Sequence, residues 1–362
     1  MKKNIVILFL VILQGIAASP KPKLSFFVEL KGPESKALFE DSSLVSQLVQ
    51  MKASLRIGLQ DFSPEMTQTI QKLNKSGIPL IAWLLLPEEE GYWFYMNNGD
   101  KAVKRYEDFK KWSAENNLKW EAVGIDLELD FNDAKLLVKH PFRLAWKAYK
   151  RLYDNHSLEK GREIYQQLIT RIQADSFAVE SYVVPMIYDE RIAKTTSLQK
   201  LMGLIDIQTP QEIPMLYTSV WRNHSVIPSY HQEGQPIALG ITGGGVVIEG
   251  MQPAWLTWEE LSVDLLLANQ YSFEIVIFSL EGTVAKGWIP KILSFDFSQK
   301  PPDISAILKT QEKSRKKIQN ILIILDHPLL LTVGILILIS LIIYAMVWVV
   351  KIFLKLIKPA RN

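Results

Sequence analysis

The chain has 362 residues, with 41 Lys and Arg against 38 Asp and Glu, a net charge of +3 and no cysteine. Disulfides and thiolate metal sites are excluded, so the body must be stable through its core alone. The small positive excess sits largely in the two ends, which gives no reason to expect nucleic acid as a partner.

The N-terminus opens with Lys2 and Lys3, continues through an apolar stretch from Ile5 to Leu13 and reaches the small residues Gly15, Ala17, Ala18 and Ser19. That is a signal-peptide layout, and its apolar core is shorter than the roughly 20 residues a membrane-spanning helix needs. Residues 1–19 therefore read as a cleaved signal peptide.

Short β-rich apolar runs then alternate with helical patterns: Leu24–Leu30, Ser54–Gln60, Pro79–Leu86, Ala122–Leu129, Ser181–Tyr188, Pro214–Val220, Pro236–Ile241 and Phe273–Leu280. Helix signals separate them, such as Ser63 and Pro64 before a helix ending at Gly77, and the box Thr257-x-x-Glu260. Eight such βα units over residues 20–300 predict an α/β fold, a (β/α)8 TIM barrel, with a doubly wound open sheet as the alternative. Two connections are long: residues 87–99 are rich in aromatics, and residues 130–180 hold two helices broken near Pro141. Both fall on the C-terminal side of the strands, where barrels build their active sites.

A linker is expected at Ser298–Asp303, around Pro301-Pro302, and residues 301–327 continue into a juxtamembrane segment with Lys313, Arg315, Lys316 and Lys317. Residues 328–350 carry no charged side chain and read as a single C-terminal transmembrane helix, which would contact membrane lipid. Lys351, Lys355, Lys358 and Arg361 make 351–362 a basic tail, favouring a cytoplasmic C-terminus and an extracytoplasmic body. The basic cluster at 313–317 lies on the other flank and opposes that orientation unless it engages lipid headgroups. The charged end excludes a glycosylphosphatidylinositol signal.

The most informative segment is Gly124-Ile-Asp-Leu-Glu-Leu-Asp130. Strand alternation puts Val123, Ile125, Leu127 and Leu129 on one face and Gly124, Asp126, Glu128 and Asp130 on the other. The apolar face meets the helices, so the acids point into the barrel near its C-terminal mouth, unless interior Arg56 neutralises them. The same parity turns Glu29 and Gln60 inward and sets Ser279 and Glu281 at the end of the last strand. Carboxylates crowded together push some pKa values up and give a protonated acid beside an ionised partner, as glycosidic bond cleavage requires.

Tyr92, Trp93, Phe94 and Tyr95 in the third loop and Trp221 after strand six offer flat surfaces on which sugars stack, or simply packing. Thr242-Gly-Gly-Gly245 marks either a phosphate cradle or a tight turn. The five histidines show no pair at helical ligand spacing, no Gly-x-Ser-x-Gly elbow occurs, and no motif calls for a metal or a cofactor.

At the fourth strand the sequence resembles the family 18 glycoside hydrolases, the chitinase-like barrels, whose strand ends in Asp-x-x-Asp-x-Asp-x-Glu. Here the register reads Glu121-x-x-Gly124-x-Asp126-x-Glu128, and Met186-Ile-Tyr-Asp189 is similar to that family's Met-x-Tyr-Asp strand end. The resemblance implies Glu128 as general acid, Asp126 orienting a substrate acetamido group, and Tyr188 and Asp189 lining the sugar site. Asp130, Glu281, Glu29, Trp93, Tyr92 and Trp221 complete the expected substrate-binding set. Glu121 and Gly124 stand where the motif has aspartates, and no tryptophan closes the last strand. A catalytically silent barrel that binds glycan or protein is therefore the alternative to a membrane-anchored glycosidase.

Overall fold

Short apolar strands followed by capped helices favour parallel pairing, because each helix carries the chain back before the next strand begins. The computed structural model describes residues 21–246, 248, 250 and 254–357; the signal segment expected over 1–19 and the tail beyond 357 lie outside the described residues. The strands are β1 (Lys23–Val28), β2 (Ser54–Leu59), β3 (Leu80–Leu84), β4 (Ala122–Leu127), β5 (Ala178–Val183), β6 (Gln211–Pro214), β7 (Ile237–Gly240) and β8 (Glu274–Phe278). They pair in parallel in the order β6-β5-β4-β3-β2-β1-β8-β7. A bridge from Met215 to Ala238, with Leu216 N–H donating to Ala238 O at 2.9 Å, joins the two ends of that order. The fold is a (β/α)8 barrel, not an open sheet.

The helix signals act where the sequence placed them. Ser63 Oγ accepts from Met66 N–H at 3.2 Å at the start of helix Pro64–Lys75. At helix Trp258–Ala268, Thr257 Oγ1 accepts from Glu260 N–H at 3.2 Å while the Glu260 carboxylate accepts from Thr257 N–H at 2.8 Å. Each such cap contributes about 1 kcal/mol.

β5 and β6 begin earlier than their apolar runs suggested. Pro185 stops β5 and leads into helix Met186–Ala193. Both strands also contain acids that find distant partners: Glu180 meets Arg56, and Glu212 meets Arg191 at 2.8 Å. An apolar criterion passes over such residues.

Alternation divides the barrel into two cores. Val123, Ile125 and Leu127 of β4 pack outward against helices, as do Leu55, Ile57, Ile275 and Ile277. Phe27, Trp83, Tyr182, Ile213, Val276 and Phe278 fill the interior. Burying one such side chain contributes about 1.5–3 kcal/mol. The lower interior is charged. Arg56 is 1% exposed and lies between Glu180, bound through Nε at 2.7 Å and Nη2 at 3.0 Å, and Glu274, bound through Nη1 at 3.1 Å. Arg56 thus serves Glu180 and Glu274, not the acids of β4. Above it Phe27, Trp83 and Tyr182 form an aromatic layer, with ring centroids 4.8–5.9 Å apart.

After the coil expected as a linker, residues 305–325 form a helix docked on the barrel, Ser305–Leu325. Arg315 Nε meets Asp189 Oδ1 at 2.8 Å, Gln319 Nε2 donates to the same oxygen at 2.9 Å, and Ser197 Oγ donates to Leu322 O at 2.9 Å. Arg315, read as part of a lipid-facing cluster, therefore belongs to an internal clamp. Helix Pro328–Ile357 follows, and its Pro328–Phe353 portion, 26 residues with none buried inside the chain, is long and apolar enough to cross a membrane.

Candidate active site

The acids of β4 are fixed through their backbone by the third loop, which returns to lie along the strand end. Phe94 N–H donates to Asp126 O at 3.0 Å, and Glu128 N–H donates to Phe94 O at 3.1 Å. Asn98 holds that loop, accepting from Tyr95 N–H and the Tyr165 hydroxyl at 2.8 Å each and donating to Trp93 O at 2.9 Å. Such bracing restrains the rotation and translation of Asp126 and Glu128, which catalysis by positioned groups requires.

Four carboxyl groups gather at the mouth. Asp126 Oδ2 accepts from Trp83 Nε1 at 3.1 Å, while Oδ1 is buried without a hydrogen-bond partner. Burial, reinforced by the charges of Glu128 and Glu29, raises its pKa well above the carboxylate range. Burial alone pushes Glu128 up to about 7. Glu29, which accepts from the Tyr92 hydroxyl, is pushed up to about 8 by burial, with the charges of Glu281 and Glu128 adding to the shift and the Tyr92 bond opposing it. Glu281 accepts from Glu29 N–H at 3.4 Å, and burial pushes it up to about 7. Among the described residues, no Lys, Arg or His forms an ion pair with any of the four.

Three of these groups face a cavity of about 400 Å³, within the range usual for small-ligand sites. Glu29, Asp126 and Glu128 line it, and its walls include Phe27, Trp83, Tyr182, Tyr217 and Phe278, together with the buried Trp93 and the half-buried Trp221. The loop Gly243–Gly245 crosses one side with φ of 149°, 73° and 84°, a left-handed path open to glycine. A side chain at Gly244 would collide with the Glu281 carboxylate, and one at Gly245 would press on Glu29. A backbone seated on two carboxyl groups is unsuited to phosphate, so this loop is the tight turn.

Five expected site residues thus share the cavity: Glu29, Asp126, Glu128, Trp93 and Trp221. Tyr92 and Glu281 adjoin it through Glu29. Three expected residues lie outside it. Asp130 caps helix Phe131–Lys139, accepting from Asn132 N–H at 2.9 Å, and stands 3.6 Å from Lys147 Nζ. Tyr188 is on a helix rather than a strand end, its ring 5.2 Å from the Arg191 guanidinium. Asp189 is fully buried between Arg315 and the Tyr230 hydroxyl, which donates to it at 2.6 Å. The resemblance set Tyr188 at a strand end, but β5 has already ended at Val183. Tyr182, within β5, is the residue that reaches the interior. Trp83, Tyr217 and Phe278 were also passed over, although parity along β3 and β8 carries a signal for Trp83 and Phe278.

Two of the histidines have structural partners. His224 Nδ1 lies 2.7 Å from Asp264 Oδ1, and the His231 ring lies 4.4 Å from that of Tyr271.

Fold and cavity together define a (β/α)8 barrel whose C-terminal mouth holds uncompensated carboxyl groups between aromatic walls. No family model matches the chain, and no curated protein matches it. Among solved structures it is similar to a GH18 chitinase from Pseudoalteromonas aurantia, at 12% identity over 75% of this chain and 98% of that one, with a TM-score of 0.43. The PgaB (BpsB) glycoside hydrolase domain from Bordetella bronchiseptica gives 8%, 76%, 98% and 0.41, and a xylose isomerase domain protein from Planctomyces limnophilus gives 10%, 83%, 100% and 0.38. The likeness is one of barrel architecture.

Proposed function

We propose that the chain cleaves a glycan at the barrel mouth while its terminal helix holds it in a membrane. The observation that carries this reading is the set Asp126 and Glu29, both buried, with the half-buried Glu128, which have no counter-charge among the described residues at the base of an aromatic-walled cavity. Withdrawing carboxyl groups from water without a cationic partner is costly, and a structural role gives no reason to gather them so.

Glu128, raised to about 7, keeps its proton near neutral pH and is the general acid. It gives that proton to the leaving glycosidic oxygen as the C–O bond breaks. Asp126 accepts the N–H of a substrate acetamido group, whose oxygen closes on the anomeric carbon. Water then opens that intermediate and returns a proton to Glu128. Trp93 and Trp221 offer stacking faces for sugar rings. Residues 20–300 lie outside the cytoplasm after loss of 1–19, and the basic tail lies inside it. A reporter fused after Asn362 should respond as cytoplasmic; an externally exposed fusion overturns this orientation.

One observation favours a barrel that binds without cleaving. Gly124 stands where the resembling motif has an aspartate, and the Tyr182 hydroxyl fills the space a side chain there would need. Glu128→Gln separates the two readings. If Glu128 is the acid, the variant keeps glycan affinity and loses turnover by about 10²-fold or more. Equal turnover in wild type and variant overturns the assignment.

A further inference from the structure

The cavity is acidic at its base but largely apolar elsewhere, and two of its rim residues, Leu137 and Val220, are 53% and 56% exposed. Next to Leu137 the chain enters a second insertion helix, Pro141–Arg151. Its inner side is clamped to the body, with Arg151 Nη1 and Lys147 Nζ each 2.6 Å from the Asp133 carboxylate. Its outer side presents Phe142, 90% exposed, and Trp146, 59% exposed, with Lys150 Nζ 5.2 Å from the Trp146 ring. Exposed aromatics with a lysine folded over one of them form the pattern of a helix lying at a membrane–water boundary.

The same helix and the turn that follows it are bonded to the start of the apolar terminal helix. The Tyr149 and Tyr153 hydroxyls lie 2.7 and 2.6 Å from Thr332 Oγ1, and the Tyr153 hydroxyl donates to Pro328 O at 3.0 Å. Where the terminal helix enters a bilayer, the outer side of Pro141–Arg151 is therefore at its surface, and the apolar rim of the cavity opens beside it. The occupant of this surface is the bilayer itself.

We infer that the cavity takes its substrate from that bilayer, and that the substrate is a lipid-linked saccharide, with sugar against Asp126 and Glu128 and the first methylenes of its lipid along Leu137 and Val220. This names the substrate class of the proposed glycan-cleaving site and rests on that reading. A water-soluble oligosaccharide has no use for an apolar rim continuous with a membrane-facing helix, whereas an amphiphile satisfies both the acidic base and the apolar rim.

The test uses the full chain in phosphatidylcholine vesicles, with the methyl and the hexadecyl glycosides of the N-acetylglucosamine disaccharide as probes. The hexadecyl probe should be cleaved with kcat/KM at least about ten-fold higher, the equivalent of burying about two methylenes. The double variant Phe142→Ser/Trp146→Ser should abolish that preference and leave turnover of the methyl probe unchanged. Equal kcat/KM for the two probes, or a preference that survives the double variant, overturns the inference while leaving glycan cleavage intact. If neither probe is cleaved, the glycan-cleaving reading falls, and a hexadecyl probe with a diazirine on its first methylenes decides the lipid claim separately. Crosslinks at Leu137 or Val220 support it, and crosslinks confined to 328–353 overturn it.

Discussion

The two ends of the barrel interior treat buried charge in opposite ways. At the lower end Glu180 and Glu274 converge on Arg56, so each acid has a cation within 3.1 Å, and the pKa of Glu274 is held below the usual carboxylate value because the attraction of Arg56 and Lys23 and the Ser25 bond outweigh desolvation. At the upper end Glu29, Asp126, Glu128 and Glu281 have no cationic partner among the described residues, and desolvation raises all four. An aromatic layer separates the two sets, tied to the lower one by the Tyr182 hydroxyl on Glu180 at 2.7 Å and to the upper one by Trp83 on Asp126. The acids at the base are held ionised beside a cation, and the carboxyl groups at the mouth hold their protons to higher pH.

The contrast breaks if the two ends respond alike to charge removal. The largest effect is expected at Arg56. Arg56→Met leaves Glu180 and Glu274 buried without a partner and should lower stability by about 3–5 kcal/mol in denaturant unfolding. A loss below about 1 kcal/mol would place the arginine outside the fold's essential contacts.

An effect of opposite sense is expected at the mouth. The folded pKa of Glu29, about 8, exceeds its unfolded value of 4.5. Below that lower value both states carry the proton. Between the two values the unfolded chain ionises while the folded chain keeps its proton, so stability falls as pH rises through this window. Glu29→Gln retains an acceptor for the Tyr92 hydroxyl and removes this dependence, so its melting temperature should decline less than wild type's over the window. Parallel declines would show that Glu29 ionises normally.

How much of this was legible from residue order depended on the range of the determining contact. Alternation in β4 needs no distant partner, so it placed Asp126 and Glu128 correctly, and the same parity placed Glu29. The fates of Tyr188, Asp189 and Asp130 were not legible in that way. Pro185 starts a helix three residues before Tyr188, and Asp189 is claimed by Arg315 from the docked C-terminal helix. Asp130 was taken by the next helix as its cap. Glu180 likewise carries a charge that an apolar criterion excludes from a strand, and only the folded barrel brings Arg56 beside it. The clamp on the 305–325 helix was hidden for the same reason: basic residues near an apolar segment suggest lipid contact, and only the folded body supplies the alternative partner.

The central claim, that the mouth holds its protons to near neutral pH, is tested most directly by titrating the protonated-carboxyl infrared band of wild type against Glu29→Gln and Glu128→Gln. At about pH 6, below the values of about 8 and about 7 for Glu29 and Glu128, wild type should retain protonated carboxyl signal that each variant diminishes. A wild-type band already gone at about pH 5, with no difference between the three proteins, would contradict the account.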